Sequence, residues 1–406
     1  MVQRKKILIL YADAGFGHRT AALAVAAAMQ EVYGDHCQVE IINPLDDPRT
    51  PSMLRESQTD YDRLVRRMPE LYKLGYAASD ASVPTTLVES GLILLLYEVI
   101  HDIVKRYQPD AIVSTYPLYQ APLDAVFTLG RTRIPVVLVV TDLATVHRLW
   151  FNDRVNYCLV PSQIVYDLAI DAGLSQEQVD ITGIPVSPDL VKETRSREEI
   201  RASLGWQAGK LTLLAVGSKR VEGLAETLHV VNHSGLPLQL AIVAGGDEDL
   251  YHQLQEMEWH ADTHLYNYVS NMHELMNAAD IVLCKPGGLI VTESLACGKP
   301  MLLIGALPGQ EKGNAEYVVD GGAGEINQDP VGVLESLCHW LDHDGALLAE
   351  RSAAAAKLGR PRAAYDVARY AWQAAQQGPQ RKHSRAILNR ESLLGLFDSN
   401  EVKYRS

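Results

Sequence analysis

The stretch Lys6-Ile-Leu-Ile-Leu-Tyr11-Ala-Asp13-Ala-Gly15-Phe-Gly17-His18-Arg19 runs into an alanine-rich segment, residues 20–32. An unbroken apolar run, a turn with two glycines and then a helical pattern mark a strand covered on both faces, followed by a helix. The same succession recurs along the chain. Strands are predicted at 6–11, 38–42, 111–114, 136–141, 157–160 and 179–181, and helices at 20–32, 88–106 and 162–172. The segment Thr182-Gly-Ile-Pro-Val-Ser-Pro-Asp189 interrupts the rhythm with a glycine and two prolines and reads as a linker. The pattern then restarts, with strands at 211–216, 238–244, 264–268, 281–284, 300–304 and 324–326 and helices at 223–232, 272–278, 289–296 and 315–320. This predicts an α/β protein of two doubly wound units in series, with ligands at the carboxyl ends of the strands. The expected division is 1–184, 185–360 and a C-terminal helix with a basic tail, 361–406.

At 406 residues the chain is too long for one ordinary core. Its 47% hydrophobic and 21% charged residues are globular values. A net charge of −13 argues against a nucleic-acid binder, which needs a basic field to meet phosphates. The five cysteines, Cys37, Cys158, Cys284, Cys297 and Cys338, are scattered without a C-x-x-C pair, so reduced thiols in a cytoplasmic setting are expected, not disulfides or zinc. The start of the chain reads as a first strand and not as a secretory signal. The apolar window 83–104 contains Glu89, Glu98, His101 and Asp102, which argues against a membrane span. Charge is uneven. Residues 351–406 carry 11 Lys or Arg against 4 Asp or Glu, leaving an acidic body with a basic tail.

Three turns carry chemistry. In the first, Gly15 and Gly17 permit close approach of a ligand, and His18 sits in the first turn of the following helix. The positive end of the helix disfavours a proton there, leaving the neutral imidazole that a general base requires; the alternative is a packing or capping histidine. In the second, Lys285-Pro-Gly287-Gly288 precedes a helix whose N–H groups suit a diphosphate. Glu293, further along that helix, is either a carboxylate for the two hydroxyls of a ribose or a solvated side chain. The third, Pro308-Gly309-Gln310-Glu311-Lys-Gly-Asn314, gathers donors and acceptors of the kind that sugars need, or is a turn with an N-cap. Asp247-Glu-Asp249 reads as helix capping in preference to a metal motif. His229 with His233, and His339 with His343, read as surface pairs. Residues 61–76 mix cations and apolar side chains, as an acceptor lip or as an ordinary amphipathic helix.

Taken in order, Gly15-Phe-Gly-His18-Arg, Thr141-Asp142 with His147 and Trp150, Thr182-Gly-Ile-Pro, Lys285-Pro-Gly-Gly with Thr292-Glu293, and Pro308-Gly-Gln-Glu-Lys-Gly-Asn314 resemble monogalactosyldiacylglycerol synthases and the processive diacylglycerol β-glucosyltransferases of glycosyltransferase family 28. The resemblance covers roughly residues 5–360. It implies a GT-B fold, with an N-terminal acceptor domain and a C-terminal UDP-sugar domain. It implies His18 as the base, with Asp142 as second choice or as the group orienting the acceptor. On the donor side it implies Gly217, Ser218, Arg220, Val269, Gly287, Gly288, Glu293, Pro308, Gly309, Gln310, Glu311 and Asn314, with uracil near Val269 and ribose on Glu293. On the acceptor side it implies Gly15, Phe16, Gly17, Pro117, His147 and Trp150. The chain departs from the family at Val216-Gly217-Ser218-Lys219-Arg220-Val-Glu-Gly223, where a glycine-rich loop is usual and two cations stand instead.

The function expected is inverting transfer of a hexose, glucose or galactose, from a UDP-sugar to a diacylglycerol-type lipid, without metal or cofactor. Alternatives are a polyprenyl-linked or soluble acceptor, or a non-catalytic nucleotide-sugar-binding protein. The protein is expected on the inner face of the cell membrane. Four cations and six large apolar residues between Arg381 and Phe397 suit an interfacial helix on an anionic surface, unless that tail packs back on the N-terminal domain.

Overall fold

The computed structural model describes residues 4–14, 16–52, 54–55, 85–219, 221–305 and 310–381. Seven strands precede the linker: β1 (Lys5–Leu10), β2 (Cys37–Ile42), β3 (Ala111–Ser114), β4 (Thr132–Arg133), β5 (Val136–Val139), β6 (Tyr157–Val160) and β7 (Val179–Ile181). Six of them form a parallel sheet in the order β2-β1-β3-β5-β6-β7. Beyond the linker lie β8 (Leu211–Val216), β9 (Leu238–Val243), β10 (Asp262–Tyr266), β11 (Ile281–Cys284), β12 (Met301–Leu303) and β13 (Gly324–Ile326). These form a second parallel sheet, β10-β9-β8-β11-β12-β13. The two doubly wound units expected from the sequence are present.

The continuous apolar runs have their cause in the layering. In β1, Leu8 and Leu10 enter the core on one face, while Ile7 and Ile9 enter the core on the other. In β8, Leu214 belongs to one layer and Leu213 and Ala215 to the opposite one. Strand order reverses between β1 and β3, and again between β8 and β11. A crevice opens outside the carboxyl ends of the strands at such a switch point.

The helix Phe16–Tyr33 starts four residues before the predicted one, which brings His18 inside its first turn. Its alanines answer to crowding. Ala22, Val25, Ala28 and Met29 pack in one layer with Ile7 and Ile9 and with Ala368, Ala371 and Ala375 of the helix Ala363–Gln377. Ala21 joins the core of the second unit. The helix Ala363–Gln377 therefore belongs structurally to the first sheet, although the chain reaches it from the second. Tyr33 and Trp372 stack at 4.7 Å where the two helices meet. The return ends in β14 (Gln380–Arg381), antiparallel to β4. The crossing point needs Gly183. Its φ is +90°, and a Cβ there would lie 2.4 Å from Arg360 Cβ. Residues 61–76, and the basic tail beyond Arg381, lie outside the described residues. Among the described residues no helix is long and apolar enough to cross a membrane.

Candidate active site

The first turn of the helix Phe16–Tyr33 projects His18 toward the ends of β3 and β5. Thr115, just past β3, donates its hydroxyl to the His18 carbonyl at 3.0 Å and so holds the backbone. Thr141, past β5, places Oγ1 2.7 Å from His18 Nδ1 and holds the ring. Tyr116 meets that ring edge-on at 5.0 Å, and Trp150 lies 6.0 Å away. Burial pushes the imidazole down to about 4, against a hydrogen bond between the ring and the Thr115 main chain, which acts the other way. His18 is thus neutral, as the sequence suggested. The cause is mainly desolvation, and not the helix terminus invoked from the sequence.

Asp142 follows Thr141. Burial pushes its carboxyl up to about 6, against the Trp150 indole N–H, which donates to Oδ2 at 2.6 Å. Trp150 is 0% exposed. The indole is covered within the protein, and its N–H is taken by Asp142. His147 is similar. Its Nδ1 accepts from the Leu149 N–H and caps the 3-10 turn Arg148–Trp150, the turn that delivers the indole. Pro117 opens another 3-10 turn directly after Tyr116 and is half-buried. Gly17 has open space where a Cβ would stand.

The second half lies at the switch point of the second sheet. After β11 the chain turns through Lys285-Pro286-Gly287, and the helix Gly288–Ala296 begins with no side-chain cap. Its first-turn N–H groups therefore face the crevice without a side-chain acceptor from this chain, the arrangement that favours an anion. Asn314 is 1% exposed and donates Nδ2 to the Pro286 carbonyl at 3.1 Å, tying the helix Gln310–Asp320 to this turn. Lys285 Nζ pairs with Glu311 at 2.9 Å, a second tie between the same elements. Glu293 is half-buried, and desolvation pushes its carboxyl up to about 7. Val269 lies beyond β10, which ends two residues before the predicted strand did, and packs partly against the core; Tyr268 beside it is 75% exposed. Past β8, the Gly217 N–H is taken by the Val243 carbonyl at 2.7 Å. A Cβ on Gly217 would press on Leu250 at 2.7 Å, and one on Gly245 would meet the Gly217 carbonyl at 2.2 Å. The Gly217 N–H is thus occupied within the chain, and its carbonyl is closely approached by Gly245 where two strand-end turns pack. Ser218 is half-buried beside it and Lys219 is exposed. Gly15, Arg220, Pro308 and Gly309 lie outside the described residues, as do the side chains of Phe16 and Gln310.

The two halves touch. A Cβ on Gly288 would point at the Thr141 carbonyl, 3.8 Å away. Thr141 thus meets His18 with its hydroxyl and the turn at Gly288 with its backbone. Gly313 comes closer still, since a Cβ there would lie 2.0 Å from Thr145 Oγ1. Ala21 and Leu143 of the first unit share a core cluster with Val291 and Leu295 of the second. Asp247 caps the helix Glu248–Gln255, accepting from the Leu250 N–H, as expected. No three His, Cys, Asp or Glu side chains among the described residues gather to hold a cation.

Residues 18–186 match the family model for monogalactosyldiacylglycerol (MGDG) synthase, and residues 213–365 match the glycosyltransferase family 28 C-terminal domain. A probable monogalactosyldiacylglycerol synthase of Glycine max is 31% identical over 376 residues, spanning 89% of this chain and 70% of that protein. Monogalactosyldiacylglycerol synthase 1 of Arabidopsis thaliana is 31% identical over 373 residues, with the same coverage of 89% and 70%. The chain belongs to the monogalactosyldiacylglycerol synthase family. Among solved structures, Acinetobacter baumannii MurG aligns at a TM-score of 0.58 with 18% identity, covering 91% of this chain and 99% of that one. The calicheamicin glycosyltransferase CalG4 aligns at 0.58 with 13% identity, covering 91% and 99%. The fold of this synthase-family chain is GT-B, as expected.

Sequence reasoning quoted Thr141 only as the neighbour of Asp142, without a role, and passed over Thr115 and Tyr116 in this synthase-family site. A signal existed. Each stands immediately past an apolar strand beside the switch point, where a polar side chain faces the crevice instead of a sheet neighbour.

Proposed function

We propose that this protein is an inverting glycosyltransferase that moves a hexose from a UDP-sugar to the free hydroxyl of diacylglycerol. One observation carries the reading: a neutral His18 is bonded to Thr141, whose backbone faces the anion-favouring turn at Gly288. The acceptor oxygen attacks the anomeric carbon from the face opposite UDP. The bond from that carbon to the phosphate oxygen breaks, UDP leaves with the electron pair, and His18 Nε2 takes the hydroxyl proton. The transition state has oxocarbenium character, as in glycoside hydrolysis. The N–H of Gly288 at the helix start, the close backbone approach that Gly287 permits, Ser218 and the cations Lys219 and Arg220 stabilise the charge on UDP. Glu293 receives the ribose and Val269 borders the uracil. Pro308, Gly309, Gln310 and Glu311 border the hexose, with Asn314 holding the turn in place. Gly15, Phe16, Gly17 and Pro117 border the acceptor, and Asp142 orients it. Residues 1–184 act as the acceptor domain and 185–360 as the donor domain, with 361–406 returning to the first. The protein works from the cytoplasmic face of the cell membrane, held to anionic lipid by its basic tail.

The deciding experiment is a matrix of UDP-sugars against lipid acceptors read by mass spectrometry. Hexosyl-diacylglycerol from UDP-glucose or UDP-galactose is the expected product, and the matrix also assigns the sugar. Product only on polyprenyl-linked or soluble acceptors would overturn the acceptor. UDP-sugar binding without any product would overturn catalysis.

A further inference from the structure

We propose that Thr141 is a positioning residue, which holds His18 as the Nδ1–H tautomer and leaves the Nε2 lone pair for the acceptor hydroxyl. The inference rests on His18 being the base. A neutral imidazole has one N–H and one lone pair, and the partner of one nitrogen decides what the other can do. Here Nδ1 lies 2.7 Å from Thr141 Oγ1. A hydroxyl donating to Nδ1 would put the proton on Nε2 and destroy the base. A hydroxyl accepting from Nδ1–H leaves Nε2 free. Once Nε2 has taken the acceptor's proton, both nitrogens carry hydrogen, and the Nδ1–H needs an acceptor; the Thr141 oxygen is there.

The placement is rigid. Thr141 is 6% exposed, and its neighbour Val140 is tied to the Leu159 carbonyl at 2.9 Å. The ring's partner therefore comes from a sheet end, while Thr115 fixes the backbone of the ring's own residue. In hydrolase triads a carboxylate occupies the equivalent position and raises the basicity of the histidine. A threonine orients without adding charge, which fits a histidine that burial keeps at about 4. The titratable groups around the ring are Tyr116, with its phenol pushed up to about 12, Asp142 bonded to Trp150, and the Asp13–Arg19 pair on the ring's own loop. Thr141 makes the bond at Nδ1, and the Thr115 main chain is the ring's other hydrogen-bond partner, which the acceptor hydroxyl has to replace if it lies at Nε2.

The tests are steady-state kinetics and imidazole 15N NMR. Wild-type protein is expected to show the Nδ1–H tautomer at His18. Thr141→Val should lower kcat about 10- to 100-fold, less than the ~10²- to 10⁴-fold ascribed to loss of the general base itself, while UDP dissociation changes less than about twofold. Thr141→Ser should restore most of the loss. Thr141→Asp should move the acidic limb of kcat to higher pH, because a carboxylate beside Nδ1 raises the imidazole pKa. Normal kcat in folded Thr141→Val, or a wild-type spectrum with the proton on Nε2, overturns the proposal. The wild-type spectrum decides even if a variant fails to fold. His18→Ala separates the two readings: full turnover there removes the base itself, whereas an inactive His18→Ala beside a normal Thr141→Val removes only the role of Thr141.

Discussion

His18, Asp142 and Glu293 are all driven toward their neutral forms, and in each the first cause is burial. Such a cleft keeps the resting imidazole of His18 unprotonated at neutral pH. His18→Ala should cut turnover about 10²- to 10⁴-fold with UDP affinity nearly unchanged; pre-steady-state transfer and calorimetry separate the two. Glu293 gives a pH prediction. Its carboxylate must be ionised to accept two hydroxyls, so UDP should bind more tightly as pH rises through about 7. Glu293→Gln should flatten that dependence and weaken UDP roughly 10- to 100-fold. Stability runs the opposite way. A carboxyl whose folded pKa of about 7 exceeds its ordinary 4.5 loses folded-state stability as pH rises between those values. In the ligand-free protein, Glu293→Gln should therefore raise the melting temperature more at pH 8 than at pH 5. Equal gains at both would remove Glu293 as a buried acid.

Glycines make the contacts between elements. Gly313, in the helix Gln310–Asp320, lies against Thr145, and Gly288 against the Thr141 carbonyl. These are the places where the two units meet across the crevice. Gly313→Ala would drive a methyl into Thr145 Oγ1, and overpacking of this kind costs about 1–3 kcal/mol. The expected effect is a fall of about 10-fold in kcat/KM for the UDP-sugar, with folding intact, since the clash is between units and not within one. Thr145→Ala should relieve it in the double variant, and a double-mutant cycle measures the coupling. Additive losses would show that the two residues do not meet in the working enzyme. Gly183, where the linker passes Arg360, is a harsher case. It combines a positive φ with a Cβ approach of 2.4 Å, so Gly183→Ala should destabilise the whole protein.

At the scale of the molecule, the chain leaves the first sheet, builds the second, and returns to the first through the helix Ala363–Gln377. Val367, Ala368, Ala371, Ala374 and Ala375 are buried there against the first sheet and the helix Phe16–Tyr33. A chain ending at Arg381 should keep the wild-type melting temperature, because β14 and this helix are retained. A chain ending at Leu358 should not fold, since it strips one face of the first sheet. The version ending at Arg381 also tests the basic tail. Each cation near an anionic bilayer contributes about 1 kcal/mol, so co-sedimentation with anionic vesicles should fall sharply. Undiminished binding would transfer the docking role to residues 61–76.

The sequence by itself determined what short-range periodicity encodes. Runs such as Ile7-Leu8-Ile9-Leu10 are apolar at every position because both faces are covered, and glycines fall where a strand hands over to a helix. The two doubly wound units, the strand-to-helix turn at 285–288 and the family resemblance followed from such local patterns. Only the tertiary structure decided which side chains meet. Thr141 reaches His18 across 123 residues of sequence. Trp150 is aromatic and adjacent to the site in sequence, yet it is buried in the core with its indole N–H on Asp142. Gly217 stands where a phosphate loop is usual, yet its N–H is bonded to Val243. These outcomes depend on how two sheets are stacked and which way a side chain leaves its turn. A one-dimensional pattern specifies the face of an element, while the distance between faces is set by the packing of the whole.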